Sequence, residues 1–313
     1  MLFRLLHVEP APFDYVAPRT IDEAVAELAR GGPDAKVLAG GQSLVPLLNF
    51  RLARPSLLVD LNRIPELSYV EPRDGGTAIG AMTRQSRIER DPGLAHGQPL
   101  LHEAIGWVGH TAIRTRGTLG GSLAHADPAA ELPAAAVCLG ARFDVVGPRG
   151  RRTVAAEDFF LGYLTTALDP DEILVETWLP SLLPSTGQAW LEFARRHGDF
   201  ALVGVGVSLS VDRDSVRDAR IVLTGVGGAP ARAREAETLL VGGSVSERVG
   251  AAADAARSAI DPEADIHASK EYRAHLAGVL TERAIHVAYD RALAAAPSAL
   301  DVRRSLEAMS RHA

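Results

Sequence analysis

Ala39-Gly40-Gly41-Gln42-Ser43 stands between the apolar run Lys36-Val37-Leu38-Ala39 and the segment Leu44-Val45-Pro46-Leu47-Leu48. The run before it has the character of a short strand, and the segment after it reads as the first turns of a helix. Ser43 is placed as the N-cap of that helix, and Pro46 falls in its first turn, where an absent N–H costs nothing. A strand, a bend without side chains and a helix start together aim several backbone N–H groups at one small volume, which suits a phosphate. Gly-Gly pairs also serve simply to turn a chain, so the stretch by itself leaves both readings open.

Working outward, a second pair, Gly120-Gly121, is followed by another short polar residue, Ser122. Two such loops can embrace one pyrophosphate from opposite sides, each offering backbone that no side chain obstructs; the alternative is two independent turns. The pair lies in His110 to Asp127, a stretch rich in Gly, Thr, His and Arg that lacks apolar periodicity and reads as a long irregular loop of functional character. Asp127-Pro128 then signals a helix start, with Glu131, Leu132, Ala135, Ala136 and Leu139 continuing to Gly140. Glu131 falls one turn into this helix, where a carboxylate can accept hydrogen bonds from sugar hydroxyls or merely complement the helix dipole.

Elsewhere the local signals are plain. Thr20-Ile21-Asp22-Glu23 is a capping box opening a helix that ends at Gly31-Gly32, and Leu57 to Leu61 is a second apolar run. Leu67 to Val70 and Thr77 to Ala81 form a hairpin through Asp74-Gly75-Gly76, and Pro99 to Val108 has helical spacing. Ala141 to Val146 and Arg151 to Val154 flank Gly147-Pro148-Arg149-Gly150 as another hairpin. Pro180 to Gly187 is rich in Pro, Ser and Gly and marks a domain boundary. Beyond it, Val203 to Val211 alternates as a strand with one buried face, followed by Val216 to Leu223, two helices, and a long final helix capped near Ser269. The last third is thus a small antiparallel sheet covered by helices.

Composition narrows the function. The chain has 313 residues with 47% hydrophobic and 23% charged, a globular balance with length for two domains. A formal net charge of −6 and the absence of basic runs argue against nucleic acid. No apolar run reaches a membrane span, and the first ten residues are too short and too charged for a signal peptide, so a cytoplasmic location is expected. The single cysteine, Cys138, excludes an internal disulfide and a cysteine-ligated iron–sulfur cluster carried by this chain alone. Gly204-x-Gly206 lies inside a strand and lacks its third glycine, Gly225 to Pro230 ends in proline, and a Gly-Lys-Ser/Thr loop is missing, which disfavours Rossmann and P-loop chemistry. The ten histidines form no metal-binding spacing, Gly-x-Ser-x-Gly is absent, and neither catalytic nor metal residues are assigned.

At this point the chain strongly resembles the flavin-binding medium subunit of the molybdenum hydroxylases, the carbon monoxide dehydrogenase and xanthine dehydrogenase family. The resemblance is carried by Ala39 to Leu44, Val59-Asp60-Leu61-Asn62-Arg63-Ile64-Pro65-Glu66-Leu67, Ile79 to Thr83, Arg114 to Pro128 and Gly198-Asp199-Phe200-Ala201. It implies an α+β, two-subdomain FAD-binding fold (PCMH/vanillyl-alcohol-oxidase-like) over residues 1–180, divided at about 1–56 and 57–180. A C-terminal domain of antiparallel sheet and helices over 188–296 and a tail over 297–313 would follow. Ala39, Gly40, Gly41, Gln42, Ser43 and Leu44, with Thr118, Gly120, Gly121 and Ser122, would hold FAD at its pyrophosphate and ribityl chain. Glu131 stands at an acidic flavin contact and Leu168 at an apolar contact near the ring, with Arg195 and Arg196 as nearby basic candidates. Gln42, Ser122 and Glu131 depart from the family's frequent histidine, asparagine or aspartate, and aspartate.

The same resemblance implies an electron-transfer role. A large partner subunit would carry the molybdenum cofactor and select the substrate. A small partner would carry two [2Fe-2S] clusters, and this chain would pass their electrons through FAD to an external acceptor, in a dimer of heterotrimers. The competing readings are a self-contained FAD-dependent oxidase or reductase and a nucleotide-binding assembly protein without redox function.

Overall fold

The computed structural model describes residues 9–296, so the expected tail over 297–313 lies outside the described residues. Its first layer comprises β1 (Asp14–Val16), α1 (Ile21–Gly31), β2 (Ala35–Leu38), α2 (Leu44–Asn49) and β3 (Leu57–Asp60). The strands pair in parallel in the order β1-β3-β2, with Leu57 opposite both Asp14 and Ala35. The break expected between residues 56 and 57 is therefore misplaced, because the strand beginning at Leu57 is the centre of this sheet. Parallel pairing joins strands distant in sequence, and nothing local to Leu57–Asp60 names its partners. Thr20 caps α1 by accepting from the Glu23 N–H at 3.2 Å, while Glu23 accepts from the Arg19 N–H at 2.8 Å, one residue earlier than a full capping box requires. Ala24, Val25 and Leu28 bury the inner face of α1.

The second layer runs through β4 (Val70–Arg73), β5 (Gly76–Gly80), α3 (Gln85–Arg90), α4 (Pro92–Gly97), α5 (Pro99–Trp107), α6 (Thr111–Arg114), α7 (Leu119–His125) and α8 (Glu131–Leu139). It continues with β6 (Arg142–Gly147), β7 (Gly150–Ala155), α9 (Ala156–Phe159), β8 (Phe160–Gly162), β9 (Thr165–Thr166) and β10 (Ile173–Pro180). β4, β5, β10, β6 and β7 form an antiparallel sheet in that order. Both expected hairpins are present, the first turning at Asp74 and Gly75 with φ of 51° and 70°, as a two-residue hairpin turn requires. Ile79, Phe143 and Val145 face the helices and share a core with Ala104, Leu123 and Leu132, while Ile173 and Val175 pack on Leu28, Leu57 and Val59 of the first layer.

Two readings within this layer change. His110 to Asp127 is not a long irregular loop: it contains α6 and α7, and Gly120-Gly121 lies inside the first turn of α7 behind the cap Thr118. The next helix starts at Glu131 rather than at Pro128. Asp127 instead accepts from the Ala129 N–H at 2.9 Å in a local turn, and Glu131 is the first helical residue.

The C-terminal part comprises β11 (Thr186–Phe193), β12 (Val203–Asp212), β13 (Ser215–Thr224), β14 (Ala231–Arg232), α10 (Arg234–Leu240), α11 (Val245–Ser258) and α12 (Lys270–Ala294). Its strands form a four-stranded antiparallel sheet in sequence order. Helix α12 lies on one face so closely that a Cβ on Gly187 would stand 1.9 Å from the Ala288 carbonyl oxygen. The strand over Val203 to Val211 was expected to have one buried face, yet Val203 to Val207 are buried on both. The second face docks on α5 and α8. There the indole of Trp190 covers Gly204 and Gly206, and a Cβ at Gly206 would meet Cys138 of α8 at 3.4 Å. Gln188 accepts from the Leu100 N–H at 3.3 Å, and Glu103 accepts from the Trp190 N–H at 2.9 Å and pairs with Arg291 at 2.6 Å. Among the described residues, no helix is long and apolar enough to cross a membrane.

Candidate cofactor site

The two glycine segments meet. A Cβ on Gly40 would lie 2.5 Å from the Arg116 carbonyl oxygen and 2.8 Å from the Gly117 Cα, and one on Gly121 would lie 3.2 Å from the Ala39 Cβ. Gly41 adopts φ +75°, the left-handed conformation that lets the chain leave β2 and enter α2. The Gly41 carbonyl accepts the Val45 N–H at 3.1 Å. Ser43 is already helical, at φ −103° and ψ −47°, and its hydroxyl caps nothing, so the helix is started by the glycine bend and not by a serine cap. Among the described residues, no protein acceptor takes the N–H groups of Gly40, Gly41, Gln42 or Ser43. Four N–H groups without a protein acceptor in one bend can receive an anionic group, and glycine at 40 lets this bend lie against the Arg116-Gly117 backbone, where a Cβ has no room.

The second segment contributes differently. Its N–H groups are taken within the protein: Leu119 donates to Thr83 at 3.0 Å, Gly120 to Ala81 at 2.8 Å, and Gly121 to the Thr118 hydroxyl at 3.1 Å. Its glycines serve close packing, since a Cβ on Gly120 would stand 2.5 Å from the Ala81 Cβ. The segment lies against the first, with Gly121 beside Ala39, and Ser122 is half-buried.

Residues outside the expected contacts hold the two segments in place. Asp60, buried at the end of β3, accepts from the Tyr15 hydroxyl at 2.5 Å and the Asn62 N–H at 2.8 Å. Asn62 donates to the Ala39 carbonyl at 2.8 Å and accepts from Arg84 at 2.6 Å, and Arg84 in turn donates to the Arg116 carbonyl. One asparagine and one arginine thus pin both sides of the junction. The approach to Thr118 is fixed by Arg114, which is buried, grips Glu89 through two bonds of 2.9 and 2.8 Å, and donates to the carbonyls of Val108 and Gly109. Arg114 holds the Glu89 carboxyl below the usual carboxylate range. The stability from this pair is therefore present above the unfolded carboxylate value of 4.5 and is lost as pH falls below it. Glu89→Gln is expected to cost about 1–2 kcal/mol at pH 7, with the cost shrinking as pH falls below 4.5, measured by urea unfolding across that range.

The other expected residues sit on separate elements. Leu44 opens α2. Glu131 opens α8 and is buried, with its carboxyl pushed up to about 7 by burial and by the nearby charge of Asp127. Leu168 follows β9, half-buried, its N–H on the Thr166 hydroxyl at 3.3 Å and its side chain against the core beneath α8. A cavity of about 730 Å³ opens between the FAD-type layers and the C-terminal sheet, lined by Asp127 and Tyr163 on one side and by Arg195, Phe200, Asp265 and Arg273 on the other. Arg195 contacts His267 at 2.8 Å, and Arg196 is not in the lining. Cys138 is buried, its thiol pushed up to about 12 by burial, and is a packing residue.

Residues 11–182 match the family described as the FAD binding domain in molybdopterin dehydrogenase, and residues 188–288 match the CO dehydrogenase flavoprotein C-terminal domain. The chain is 41% identical over 287 residues to the 6-hydroxypseudooxynicotine dehydrogenase complex subunit alpha of Paenarthrobacter nicotinovorans, covering 91% of this chain and 97% of that one. It is 41% identical over 286 residues to the caffeine dehydrogenase subunit beta of a Pseudomonas species, covering 91% and 97%. The solved carbon monoxide dehydrogenase of Hydrogenophaga pseudoflava superposes with a TM-score of 0.88 at 40% identity, over 90% of this chain and 99% of that one. Matched through both parts of its length, the chain belongs to the FAD-binding medium subunits of the molybdopterin-dependent hydroxylases, the carbon monoxide dehydrogenase and xanthine dehydrogenase family.

Proposed function

We propose that this chain carries electrons from the [2Fe-2S] clusters of a small partner subunit to an external acceptor, with the molybdenum cofactor in a large partner and the whole arranged as a dimer of heterotrimers. The observation that carries the reading is the junction at Gly40, where the two glycine segments lie backbone against backbone and the N–H groups of residues 40–43 have no protein acceptor among the described residues. Bound FAD supplies the redox chemistry, and the chain supplies binding, orientation and electrostatics. Ala39 to Ser43 would receive the pyrophosphate through backbone N–H groups, and Thr118, Gly120, Gly121 and Ser122 would form the wall that keeps it there. Glu131 would turn its carboxyl to the hydroxyls of the cofactor, and Leu168 would offer an apolar surface to the ring. The cavity beside Tyr163 and Phe200 has the size and the aromatic walls to admit a planar group, and Arg195 stands at its edge.

The expected result of purification from the native host is a yellow complex in which this chain travels with a cysteine-rich small subunit and a large subunit. Its absorption spectrum should combine flavin and iron–sulfur contributions. A lone chain with full turnover would favour a self-contained flavoenzyme and defeat the subunit reading. A colourless preparation that cannot be reconstituted with FAD would defeat the flavin reading.

A further inference from the structure

We propose that Arg273 is a positioning residue for the ring end of the bound flavin: its guanidinium ties three separate turns into one wall of the cavity between the FAD-type layers and the C-terminal sheet, and so fixes where Phe200 stands. The inference rests on the reading of that cavity as the seat of the cofactor's planar group.

Helix α12 begins at Lys270, and Arg273 falls in its first turn, 7% exposed. Its Nη1 donates to the Leu202 carbonyl at 2.6 Å and to the Gly225 carbonyl at 3.1 Å, and its Nη2 donates to Asp265 at 2.8 Å. These partners lie on the connection between β11 and β12, on the turn that follows β13, and on the turn that leads into α12. All of them line the cavity, as does Arg273 itself. A guanidinium placed only to neutralise Asp265 would grip it as a fork, yet two of its three bonds go to backbone carbonyls. Asp265 is served largely by other donors. It accepts the His267 N–H at 2.8 Å and the Ala268 N–H at 2.9 Å, and these amides, with Arg273 after them, hold its carboxyl down at about 2.

The tied turns are packed to backbone contact. Gly225 has φ +76°, and a Cβ on it would stand 2.6 Å from the Leu202 carbonyl oxygen and 3.0 Å from that of Ala201. Two carbonyl oxygens turned to one nitrogen repel each other, and the buried cation between them offsets that repulsion. The other end of the Phe200 segment is fixed on the FAD-type layers. Gly198 has φ +93°, and a Cβ on it would meet the His110 ring at 2.4 Å and the Gly109 carbonyl oxygen at 3.0 Å, while His197 stacks on Trp107 at 5.3 Å. Residues 199–201 are therefore strung between two anchors, and on them Phe200 lines the cavity while remaining 63% exposed. An aromatic side chain held out in this way is a surface for a flat ligand.

The facing wall connects the cavity to the glycine junction. Asp127, Pro128 and Ala129 line it, and the Pro128 carbonyl accepts the Gly225 N–H at 2.9 Å. Asp127 follows α7, whose first turn holds Gly120-Gly121 and whose seven residues span about 10 Å along the axis. The cavity thus lies within the length of a flavin dinucleotide whose pyrophosphate sits at the junction.

Arg273→Lys tests this on the full chain stripped of flavin. Lysine keeps the charge but offers one nitrogen where the arginine bonds through two. FAD and ADP are the probes, since ADP carries the pyrophosphate without the ring. Arg273→Lys is expected to weaken FAD about tenfold, the cost of one charge-assisted bond, and to leave ADP within about twofold of wild type. Gly225→Ala, which forces the same turns apart without touching the arginine, should show the same split. Equal losses for FAD and ADP in both variants mark a merely structural role and overturn the proposal. Phe200→Ala should also weaken FAD and spare ADP, and its combination with Arg273→Lys should be no weaker than the worse single variant, because the arginine acts through that turn. Losses that add overturn the proposal. If Phe200→Ala weakens FAD and Arg273→Lys does not, the tie is what fails. If Phe200→Ala leaves FAD untouched while the wild type binds it, the reading of the cavity as the ring's seat fails and the proposal falls with it.

Discussion

Gly40→Val is expected to yield a folded chain that retains no FAD. The added Cβ would meet the Arg116 carbonyl oxygen at 2.5 Å, the Gly117 Cα at 2.8 Å and the Arg116 carbonyl carbon at 3.0 Å. All three are backbone atoms and cannot rotate away, so relief requires the two segments to separate. Separation strains the Asn62 bond to the Ala39 carbonyl and the Arg84 bond to Arg116, and it scatters the free N–H donors of residues 40–43. Affinity for FAD should fall at least about 100-fold, roughly 2.8 kcal/mol, read as flavin absorbance per chain after dialysis and as a titrated Kd. Gly32→Ala is the matched control: its φ of +65° and ψ of −156° bring backbone strain of about 1–3 kcal/mol, but nothing lies within 4 Å of the new Cβ and FAD content should not change. Full flavin occupancy in Gly40→Val would remove this junction from the cofactor site.

Trp190→Ala should be the most destabilising single substitution proposed for this chain. The indole is 2% exposed and fills the space over Gly204 and Gly206, whose missing side chains exist for it. Truncation of a buried tryptophan costs about 3–5 kcal/mol, a lowering of the melting temperature on the order of 10 °C for a chain of this size. The loss also removes the indole N–H that Glu192 accepts at 3.1 Å. Unfolding followed by calorimetry should show the C-terminal sheet and α8 loosening together, because Trp190 belongs to the same core as Leu132, Ala135 and Val137. A melting curve indistinguishable from wild type would mean that the sheet is held to α5 and α8 by its backbone and polar contacts alone.

Much of this was legible in residues whose conformation is forced locally. The cap at Thr20, the hairpin at Asp74-Gly75 and the left-handed bend at Gly41 each follow from what one or two side chains permit. Other features depend on partners far along the chain. The parallel pairing of Leu57–Asp60 is invisible in its own sequence, so the first sheet was cut in the wrong place. Gly120-Gly121 argued against a helix by propensity, yet α7 forms there because the crowding at Ala81 leaves no room for a larger residue, and packing outweighs the roughly 1 kcal/mol per glycine. The two segments meet, but not as equals: among the described residues the N–H groups of the first have no protein acceptor, while those of the second are taken within the protein. Asn62 lies in a run that carries the family resemblance, but neither it nor Arg84 shows in its local sequence that it bridges the two segments.

One consequence concerns how these two modules can travel. The matched families abut at residues 182 and 188, which suggests a seam where one could be exchanged for another. Yet every residue of α8, from Glu131 to Leu139, is buried, and a helix that is apolar on all sides needs neighbours on all sides. Many of those neighbours come from beyond the seam, on β12 and β13, with Trp190 and Val222 in the shared core. A fragment ending at the seam would present an oily flank to water and clump, and a foreign second module would have to reproduce the Trp190 and glycine surface to fit it. Gene rearrangement can therefore pass the pair on only as a single heritable block, joined at a helix that belongs to both.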